Sequence, residues 1–306
     1  MSVMKGRMPL VYIIILTWNH WELTFRCLSS VLRITYPNYQ VVIVDNGSRD
    51  GTVDFIREKF PAIKVIANSC NLGFAGGCNV GIRYAVSEGA DYVLLLNNDT
   101  LVTPDFLGKL ISHAQVLPKA GILAPKIVYA DGSGRLWFAG GRCHPLTLDI
   151  VSSGLNTSYS EPQPVDYVFG TSMLIHKNVL EDIGLFDELF FMYYEDMDFC
   201  LRARKAGYKI YYIPAAVVYH HVAASTAMFL PARYYHKARS SILFFRKHAS
   251  GVRYLIIVPY RLGSAIHTLI RLVRQQQVNT AKAYLQGLKD GLKGKEVCYE
   301  KIYFSE

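Results

Sequence analysis

The sequence has no cysteine pattern that suggests a disulfide or zinc framework. Its six cysteines are scattered from Cys27 to Cys298, without a C-x-x-C pair and without a Cys/His group at zinc-ligand spacing. Scattered cysteines in a chain of 306 residues are typical of a reduced, cytosolic protein. We therefore expect a cytoplasmic protein that folds without covalent or metal crosslinks.

Long apolar runs are also missing. No stretch approaches the roughly 18 unbroken apolar residues that a membrane-spanning helix needs. The apolar run at positions 11–16 is short, and no small-residue cleavage site follows it before Trp18, so we do not expect a signal peptide. The protein is expected to be soluble or to lie peripherally on the inner face of the plasma membrane.

Three common active-site fingerprints are absent. A G-x-G-x-x-G motif beginning at Gly73 fails at Ala75 and Cys78, and neither a G-x-x-x-x-G-K-[ST] loop nor a G-x-S-x-G elbow occurs. These absences argue against a dehydrogenase, a P-loop NTPase and an α/β hydrolase. The composition, 51% hydrophobic and 19% charged, also excludes a disordered chain and a coiled coil.

Acidic residues are outnumbered by basic ones. The chain has 33 Lys and Arg against 24 Asp and Glu, a formal net charge of +9. A basic surface suits an anionic partner such as a nucleic acid, a nucleotide or an anionic lipid. Because no recognised nucleic-acid motif accompanies the charge, we expect no nucleic-acid partner.

Strand and helix patterns alternate along the first 120 residues. Apolar, β-branched runs at positions 11–16, 41–44, 63–67 and 92–96 are separated by helical patterns at 19–32, 52–59 and 75–87. Runs without polar alternation are typical of strands buried on both faces of a parallel sheet. This order predicts an α/β fold with a mostly parallel central sheet flanked by helices.

The rest of the chain is less regular. Positions 121–170 are predicted to be irregular, with short strand candidates. Further strands are predicted at 167–170, 172–175, 210–213 and 216–219. A helix, an aromatic loop and a second helix are expected within 178–206, and the chain is helical and basic from Pro231 onward. We expect one domain over residues 1–228, made of two halves (about 1–120 and about 121–228), followed by a helical extension over 229–306.

Polar turns follow three of the predicted strands. They are Thr17-Trp18-Asn19, the stretch from Asp45 to Thr52, and Asn97-Asn98-Asp99. Ligands of parallel sheets bind beyond the carboxyl ends of the strands, where these turns would meet. Each turn taken alone is explained equally well by a helix cap or a tight turn. Three on one edge favour a binding site.

Two acidic groups are candidates for chemistry. Asp99, flanked by amides at the end of a buried strand, could hold a divalent cation, and a histidine from Tyr219-His220-His221 could complete that site. Glu195 and Asp196 follow a run of aromatic residues that should raise a carboxyl pKa, which suits a general base. For Asp198, an ion pair with Arg202 at i, i+4 is the preferred interpretation.

Together these segments resemble family 2 glycosyltransferases of the GT-A fold, in particular the rhamnosyltransferase-like branch that builds bacterial surface polysaccharides. The resemblance covers positions 11 to about 248. It depends on the order and spacing of six motifs, which are Thr17-Trp18-Asn19, Val44-Asp45-Asn46-Gly47-Ser48-x-Asp50-Gly51-Thr52, Asn71-x-Gly73-Phe74-Ala75-x-Gly77-x-Asn79-x-Gly81, Asn97-Asn98-Asp99, Glu195-Asp196-x-Asp198-x-x-x-Arg202, and His220.

The resemblance implies a role for each matched position. Asp196 would be the catalytic base, supported by Glu195, and Asp99 with His220 would bind Mg²⁺ or Mn²⁺ at the donor diphosphate. Whether His220 or His221 is the ligand stays open. The donor-binding set would be Thr17, Asn19, Asp45, Asn46, Gly73, Phe74, Asn79, Asn97 and Asn98. Asn97 departs from the family pattern because it replaces the first carboxylate of the D-x-D-type motif.

The resemblance also implies the reaction and its partners. It indicates an inverting, metal-dependent transfer from a nucleoside diphosphate sugar, dTDP-rhamnose or a UDP-hexose, to a glycan or a polyprenyl-diphosphate-linked glycan. Two alternatives are a sugar-1-phosphate nucleotidyltransferase and a non-catalytic nucleotide-sugar or membrane-binding scaffold. The first would need a basic glycine-rich loop where Thr17-Trp18-Asn19 stands. The second conflicts with the presence of both Asp99 and Asp196.

The basic C-terminal region has a separate pattern. The stretch 254–274 is apolar with basic residues at intervals, which suits an amphipathic helix on an anionic membrane surface. A helical subdomain packed on the catalytic domain and a homodimer interface are the alternatives.

Overall fold

The computed structural model describes residues 7–151, 159–221 and 230–295. The strands are β1 (Val11–Thr17), β2 (Tyr39–Asp45), β3 (Lys64–Ala67), β4 (Tyr92–Asn97), β5 (Thr100–Val102), β6 (Ala120–Tyr129), β7 (Leu136–Phe138), β8 (Arg142–Cys143), β9 (Ile150–Val151), β10 (Gln163–Val165), β11 (Ser172–His176) and β12 (Lys209–His220). The helices are α1 (Trp21–Val31), α2 (Thr52–Lys59), α3 (Gly73–Ser87), α4 (Phe106–Val116), α5 (Lys177–Ile183), α6 (Glu195–Lys205), α7 (Leu230–His248), α8 (Arg253–Arg274) and α9 (Val278–Lys293).

A single large sheet forms the centre of the molecule. Its strand order is β10-β12-β6-β11-β4-β1-β2-β3, with β5 paired to β12 and β7 paired to β6. Strands β3, β2, β1, β4, β6 and β12 run in one direction, and β11 is inserted antiparallel between β4 and β6. The expected α/β architecture with a mostly parallel sheet is confirmed.

Both faces of the sheet are covered by helices, as the unalternating strands predict. In β1, Tyr12 and Ile14 pack on the side of α3, α5 and α6, whereas Ile13 and Ile15 pack on the side of α1, α2 and α4. Alternate side chains of one strand therefore belong to two separate hydrophobic cores. Burial on both faces fixes the register of the strands, and with it the positions of the turns at their ends.

Four expectations for the middle of the chain are wrong or incomplete. Positions 121–170 contain β6, a ten-residue strand, and α4 precedes it without having been foreseen. Positions 167–170 form a loop, with only an isolated bridge between Tyr167 and Gly141. The two strands expected at 210–219 are one strand, β12, whose register shifts between Ile213 and Val217, next to Pro214.

The C-terminal region is helical, as expected. Helix α7 is fastened to the loop before α6, where Ser240 Oγ donates to the carbonyl of Met192 at 2.8 Å. An 18-residue window of helix α8 has a mean hydropathy of 1.3, so by length and composition this helix is able to cross a membrane. The expectation concerned unbroken apolar runs and did not include α8, which Arg261 and Arg271 interrupt. The proposed domain boundary at 228/229 lies outside the described residues, as does Cys298.

Candidate active site

The turns after β1, β2 and β4 meet at one edge of the sheet. Thr17, the last residue of β1, pairs with Asp45, the last residue of β2, and Leu16 pairs with Asn97 at the end of β4. The sequence prediction that these polar turns share an edge is confirmed. The edge adjoins the position where β11 is inserted antiparallel next to β4.

Asp45 is buried and organises its own turn. One carboxyl oxygen, Oδ2, accepts hydrogen bonds from the N–H groups of Gly47 (3.1 Å) and Ser48 (2.9 Å), and Oδ1 accepts the Ser48 hydroxyl at 2.5 Å. Asn19, in a left-handed conformation with φ 56°, donates its N–H to Ser48 Oγ and accepts from the Arg49 N–H. The turns after β1 and β2 are therefore joined into one rigid rim.

Thr17 and Asn98 form a second connected group. The Oγ1 atoms of Thr17 and Thr24 are 2.8 Å apart, and the Asn98 side-chain amide donates to both hydroxyls, at 3.3 and 3.0 Å. Asn97 is held through its main chain, with its N–H donating to Thr171 O (3.0 Å) and its carbonyl accepting from Thr100 Oγ1 (2.7 Å). These contacts hold the chain entering Asp99 in place.

The loop before α3 is fastened by Asn46. Its side-chain amide donates to Asn71 Oδ1 and to the Gly73 carbonyl, both at 2.9 Å, and its Oδ1 accepts from Asn68 and from the Leu72 N–H, both at 3.1 Å. All the hydrogen-bonding positions of the Asn46 side chain are therefore occupied by residues of the loop before α3. Asn46 thus shapes the loop before α3, which the resemblance expects to cover the donor nucleotide.

Gly73 lies directly against the loop before α6. Its φ is 74°, and a Cβ there would approach the Phe191 carbonyl oxygen to 2.3 Å. The next N–H, that of Phe74, donates to the same carbonyl at 2.7 Å. Phe74 makes an edge contact with Phe186, with ring centroids 6.5 Å apart. The glycine is required both for the backbone conformation and for the close approach.

Asn79 is buried inside the fold at the junction of α3 with the 184–194 loop. Its amide donates to the Phe186 carbonyl (2.9 Å) and to Glu188 (2.8 Å), and its Oδ1 accepts the Phe186 N–H at 3.0 Å. These three bonds couple the donor-side helix to the loop that leads into Glu195. These contacts give Asn79 a positioning role, and its predicted contact with the donor stays a prediction.

Asp99 and His220 are brought together by the pairing of β5 with β12. His220 is opposite Thr100 in the register, and its Nε2 lies 3.2 Å from Asp99 Oδ1. Both side chains are buried, and both Asp99 Oδ1 and His220 Nδ1 lack a hydrogen bond. His221 contacts Asp99 through its main-chain N–H, at 2.9 Å. Of the two histidines, the His220 ring is therefore the one that faces the carboxylate.

These two side chains fit a divalent cation in part. A buried carboxylate oxygen without a donor and a histidine nitrogen beside it are suitable ligands. The described residues contain no group of three or more His, Cys, Asp or Glu side chains placed to hold a metal ion. A cation here would need its other ligands from the donor diphosphate and water, as expected for a site that assembles with its substrate.

Glu195 and Asp196 begin α6 as a buried acid pair. Burial raises the pKa of Glu195 well above its ordinary value, the neighbouring Asp196 raises it further, and Glu195 Oε2 has no hydrogen bond. Burial also raises the pKa of Asp196, to about 6, although hydrogen bonds from Tyr167, Gly170 and Met197 oppose the shift. The pair can therefore keep one proton, on Glu195, while Asp196 is ionised above about pH 6.

The segment 167–171 joins the acid pair to the strand edge. Tyr167 Oη donates to Asp196 Oδ2 at 2.9 Å and the Gly170 N–H approaches the same oxygen at 3.3 Å. The next residue, Thr171, accepts the N–H of Asn97. The base candidate and the strand end that carries Asp99 are thus held by adjacent residues of one loop.

An aromatic series connects the same two groups. Tyr167 contacts Phe169 with centroids 5.0 Å apart, Phe169 contacts Trp137 at 5.2 Å, and Trp137 makes an edge contact with His220 at 4.6 Å. A rigid row of rings therefore runs from the residue that holds Asp196 to the residue beside Asp99.

Asp198 has a structural role, as predicted. Its fully buried carboxylate receives Arg202 Nε at 2.7 Å, which confirms the expected i, i+4 pair, and it also receives Lys247 Nζ at 2.8 Å and His248 Nε2 at 2.7 Å. Burial alone would raise its pKa, but these three partners lower it to about 2. The carboxylate links α6 to the end of α7.

Some important residues gave no usable signal in the sequence. Tyr167 and Gly170 stand in a stretch that was interpreted as a strand, and Trp137 stands in a segment predicted to be irregular. Thr24 is a buried hydroxyl within a helix that shows only ordinary apolar spacing. Their roles depend on contacts across 7 to 83 residues of chain, which no local pattern reports.

The architecture of the sheet and its flanking helices defines a protein of the GT-A fold class. The structure resembles mannosyltransferase PcManGT from Pyrobaculum calidifontis, solved with GDP-Man and Mn²⁺, with a TM-score of 0.61 over 95% of this chain and 89% of that chain. At 17% identity this similarity concerns the fold alone, and it confirms the GT-A prediction.

The sequence comparisons identify the family. The model of glycosyl transferase family 2 matches residues 12–184, so the chain belongs to that family and is a glycosyltransferase. It is 28% identical, over 81% of its length and 87% of the relative's, to the N-acetylglucosaminyl-diphospho-decaprenol L-rhamnosyltransferase of Mycobacterium tuberculosis. It is 25% identical, over 93% and 96%, to the dTDP-rhamnosyl transferase RfbF of Shigella flexneri. Membership in this family favours a glycosyltransferase over the two alternatives, a sugar-1-phosphate nucleotidyltransferase and a non-catalytic scaffold.

Proposed function

We propose that this glycosyltransferase moves L-rhamnose from a dTDP donor to a glycan carried on a polyprenyl diphosphate, with inversion and with the help of a divalent cation. The names of the two relatives support rhamnose as the sugar, because both relatives are rhamnosyltransferases and both align with most of this chain. The name of the mycobacterial relative supports a polyprenyl-linked acceptor. A UDP-hexose donor is the alternative. Cytoplasmic location remains a prediction from the sequence.

One observation supports the chemistry above all others. The loop 167–171 holds Asp196 through Tyr167 and Gly170, and holds the end of β4 through Thr171. A sugar bound between these groups would have the proton acceptor on one side and the diphosphate near Asp99 on the other. That arrangement suits an in-line displacement, which inverts the anomeric carbon.

The residues of the chain divide the work of this reaction. The acceptor hydroxyl oxygen attacks the anomeric carbon as the bond from that carbon to the diphosphate oxygen breaks. Asp196 takes the acceptor proton, while Glu195 stays protonated and adds no second negative charge. Asp99 and His220 would hold the cation, which supplies positive charge for the departing nucleoside diphosphate. The rim formed by Asp45, Asn19 and Thr17 would receive the nucleoside.

The test combines donor binding with turnover. A panel of nucleotide sugars, with Mg²⁺, Mn²⁺ or EDTA, would be titrated calorimetrically and assayed for hydrolysis and for transfer to polyprenyl-diphosphate N-acetylglucosamine. We expect dTDP-rhamnose to bind in the presence of metal. Asp99→Ala should abolish metal-dependent binding. Asp196→Asn should keep binding but lose transfer by about 10²-fold or more.

Asp105→Asn is the matched control, since Asp105 lies at the start of α4 with its side chain 55% exposed. It should leave binding and turnover unchanged. The proposal would be overturned if no nucleotide sugar bound, or if Asp99→Ala bound donor with the same metal dependence as the wild type.

A further inference from the structure

Helix α8 carries an apolar face that no described residue covers. Its side chains recur at intervals of three or four residues and include no charged group. They are Leu255, Val258, Leu262, Ile266, Ile270 and Val273, with exposed fractions of 77, 55, 61, 49, 46 and 60%. We call this set the outer face of α8. Contiguous exposure of this kind marks an interaction surface.

The opposite side of α8 is held by the protein. Ile257 and Leu272 are buried. Arg261 pairs with Asp149 at 3.1 Å and lies over the Phe245 ring at 4.5 Å. Arg271 donates to the Tyr234 hydroxyl at 3.1 Å. The helix is therefore amphipathic and fastened to the helical region through one side only.

The helical region that carries this face is strongly basic. Residues 230–295 contain thirteen Lys and Arg and a single acid, Asp290. Asp290 is buried and accepts the Tyr235 hydroxyl, so it adds no exposed negative charge. The exposed side of α9 mixes Leu285 and Leu292 with Lys282 and Lys289. An apolar face with basic residues around it complements the surface of an anionic lipid bilayer, where negative headgroups cover an apolar interior.

A spanning helix fits these contacts less well. Crossing a bilayer would surround α8 with hydrocarbon, but Arg261 and Arg271 project from its protein-facing side into polar contacts. Lying in the headgroup region leaves those contacts intact and buries only the outer face.

We propose that the outer face of α8 docks on a lipid bilayer surface that carries anionic headgroups, with the helix lying in the plane of the interface. The basic residues of α8 and α9 would supply the electrostatic attraction and the six apolar side chains would enter the acyl boundary. This docking depends on the structure of the C-terminal helices and not on which sugar or acceptor the enzyme uses.

The docked face is mechanically connected to the acid pair. Helix α8 contacts α7 through Arg261 on Phe245 and Arg271 on Tyr234. Helix α7 in turn contacts the loop before α6, where Arg239 donates to the Leu189 carbonyl at 2.8 Å and the His236 ring stacks on Phe191 at 4.9 Å. This loop leads directly into Glu195. Docking would thus hold Asp196 at a fixed height above the bilayer, which, given the proposed function, suits a lipid-linked acceptor.

Vesicle flotation tests the docking directly. The full chain would be mixed with vesicles of phosphatidylcholine alone or with vesicles that also contain about 30% phosphatidylglycerol, whose headgroups give the surface a negative potential. We expect binding to the anionic vesicles that weakens as salt is raised. The double variant Leu262→Glu, Ile266→Glu should reduce the bound fraction by about tenfold or more, because it places two charges on the apolar face.

The matched control is Gln115→Glu with Val116→Glu, which adds the same two charges at exposed positions of α4. It should bind vesicles like the wild type. Docking would be overturned by absence of vesicle binding, by equal loss in the control, or by resistance of the bound protein to carbonate extraction, which would indicate a spanning helix. A dimer that the α8 double variant alone dissociates, without vesicle binding, would assign the face to a second copy.

Donor hydrolysis without lipid separates this proposal from the proposed function. Both double variants should hydrolyse a bound donor like the wild type, since neither touches the acid pair or the strand edge. Loss of vesicle binding with intact hydrolysis supports docking, whereas failure of the wild type to bind any donor leaves docking unaffected and rejects only the proposed reaction.

Discussion

At the scale of single residues, the chemistry depends on which member of the acid pair holds a proton. Glu195 and Asp196 are both buried, and two adjacent negative charges are unfavourable in such a place. Asp196 accepts three hydrogen bonds, whereas Glu195 Oε2 accepts none. The hydrogen bonds favour the ionised form of Asp196, so the proton stays on Glu195.

The pH profile should report this arrangement. The pKa of Asp196 is raised to about 6, and a base must be unprotonated to accept a proton. We expect kcat to fall as pH drops through about 6 and to level off above it. Steady-state rates from pH 5 to 9 with saturating donor would check this, and a profile flat down to pH 5 would contradict the assignment.

The Tyr167 hydroxyl should set the position of that profile. Its hydrogen bond to Asp196 lowers the pKa of that carboxyl, so Tyr167→Phe should raise it and move the acidic limb to higher pH. At pH 6 the variant should be slower than the wild type, and at pH 8 nearly equal. Tyr208→Phe removes a similar bond, to exposed Asp182, and should leave the profile in place.

At the scale of elements, the contact between the loop before α3 and the loop before α6 depends on one glycine. Gly73→Ala would combine a positive φ with a Cβ 2.3 Å from the Phe191 carbonyl oxygen. We expect weaker donor binding and a lower unfolding free energy. Gly89→Ala is the control, because Gly89 also has a positive φ (80°) but nothing within 4 Å of its Cβ.

Conformational strain alone should make the control less stable by about 1–2 kcal/mol. The Gly73 variant should lose more than this, and it alone should raise the donor Kd. Chemical denaturation and calorimetric titration of both variants provide the two measurements. Equal behaviour would mean that the close approach to Phe191 is unimportant.

Elements that were regular and local could be predicted from the sequence, and those that depend on distant partners could not. Helix α2 was predicted with its observed ends, because turn residues precede it and apolar spacing continues through it. Strand β6 was missed because Gly121 and Pro125 interrupt its pattern, while burial between β11 and β12 stabilises it. The loop 167–170 resembles a strand but is bent to direct Tyr167 and Gly170 to Asp196.

In the site as well, features with a local pattern could be predicted and features that depend on distant partners could not. Strand ends such as Asp45 and Asn97 are placed by the parallel register, so the convergence of the turns that follow them was predictable. The donor roles assigned to Asn46 and Asn79 rested on a linear motif, and the structure shows both amides engaged in fastening loops. A motif can identify the residue type that a position requires without revealing whether it contacts ligand or supports a neighbour.

At the scale of the whole molecule, the catalytic sheet and the C-terminal helices are joined through a buried ionic contact. Asp198 of α6 binds Lys247 and His248 at the end of α7, in addition to Arg202 of its own helix. Because α6 begins with the acid pair, this contact fixes the orientation of the base relative to the region that carries α8. Loss of this contact should therefore lower the free energy of unfolding, and its effect on activity should be smaller and indirect.

The pH dependence of stability should reveal this contact. Asp198→Asn leaves Arg202 and Lys247 without their buried partner, and we expect a loss of about 3 kcal/mol at pH 7. The folded-state pKa of Asp198 is about 2, below the ordinary value of 3.8, so its contribution is present above about pH 4 and is lost as pH falls towards 2. Wild type and variant should therefore converge in unfolding free energy between pH 4 and pH 2.

Asp105→Asn removes an exposed ion pair with Lys109 and should change stability by less than about 1 kcal/mol at either pH. A constant difference between the Asp198 variant and the wild type across that range would mean that the carboxylate acts through shape and not through charge.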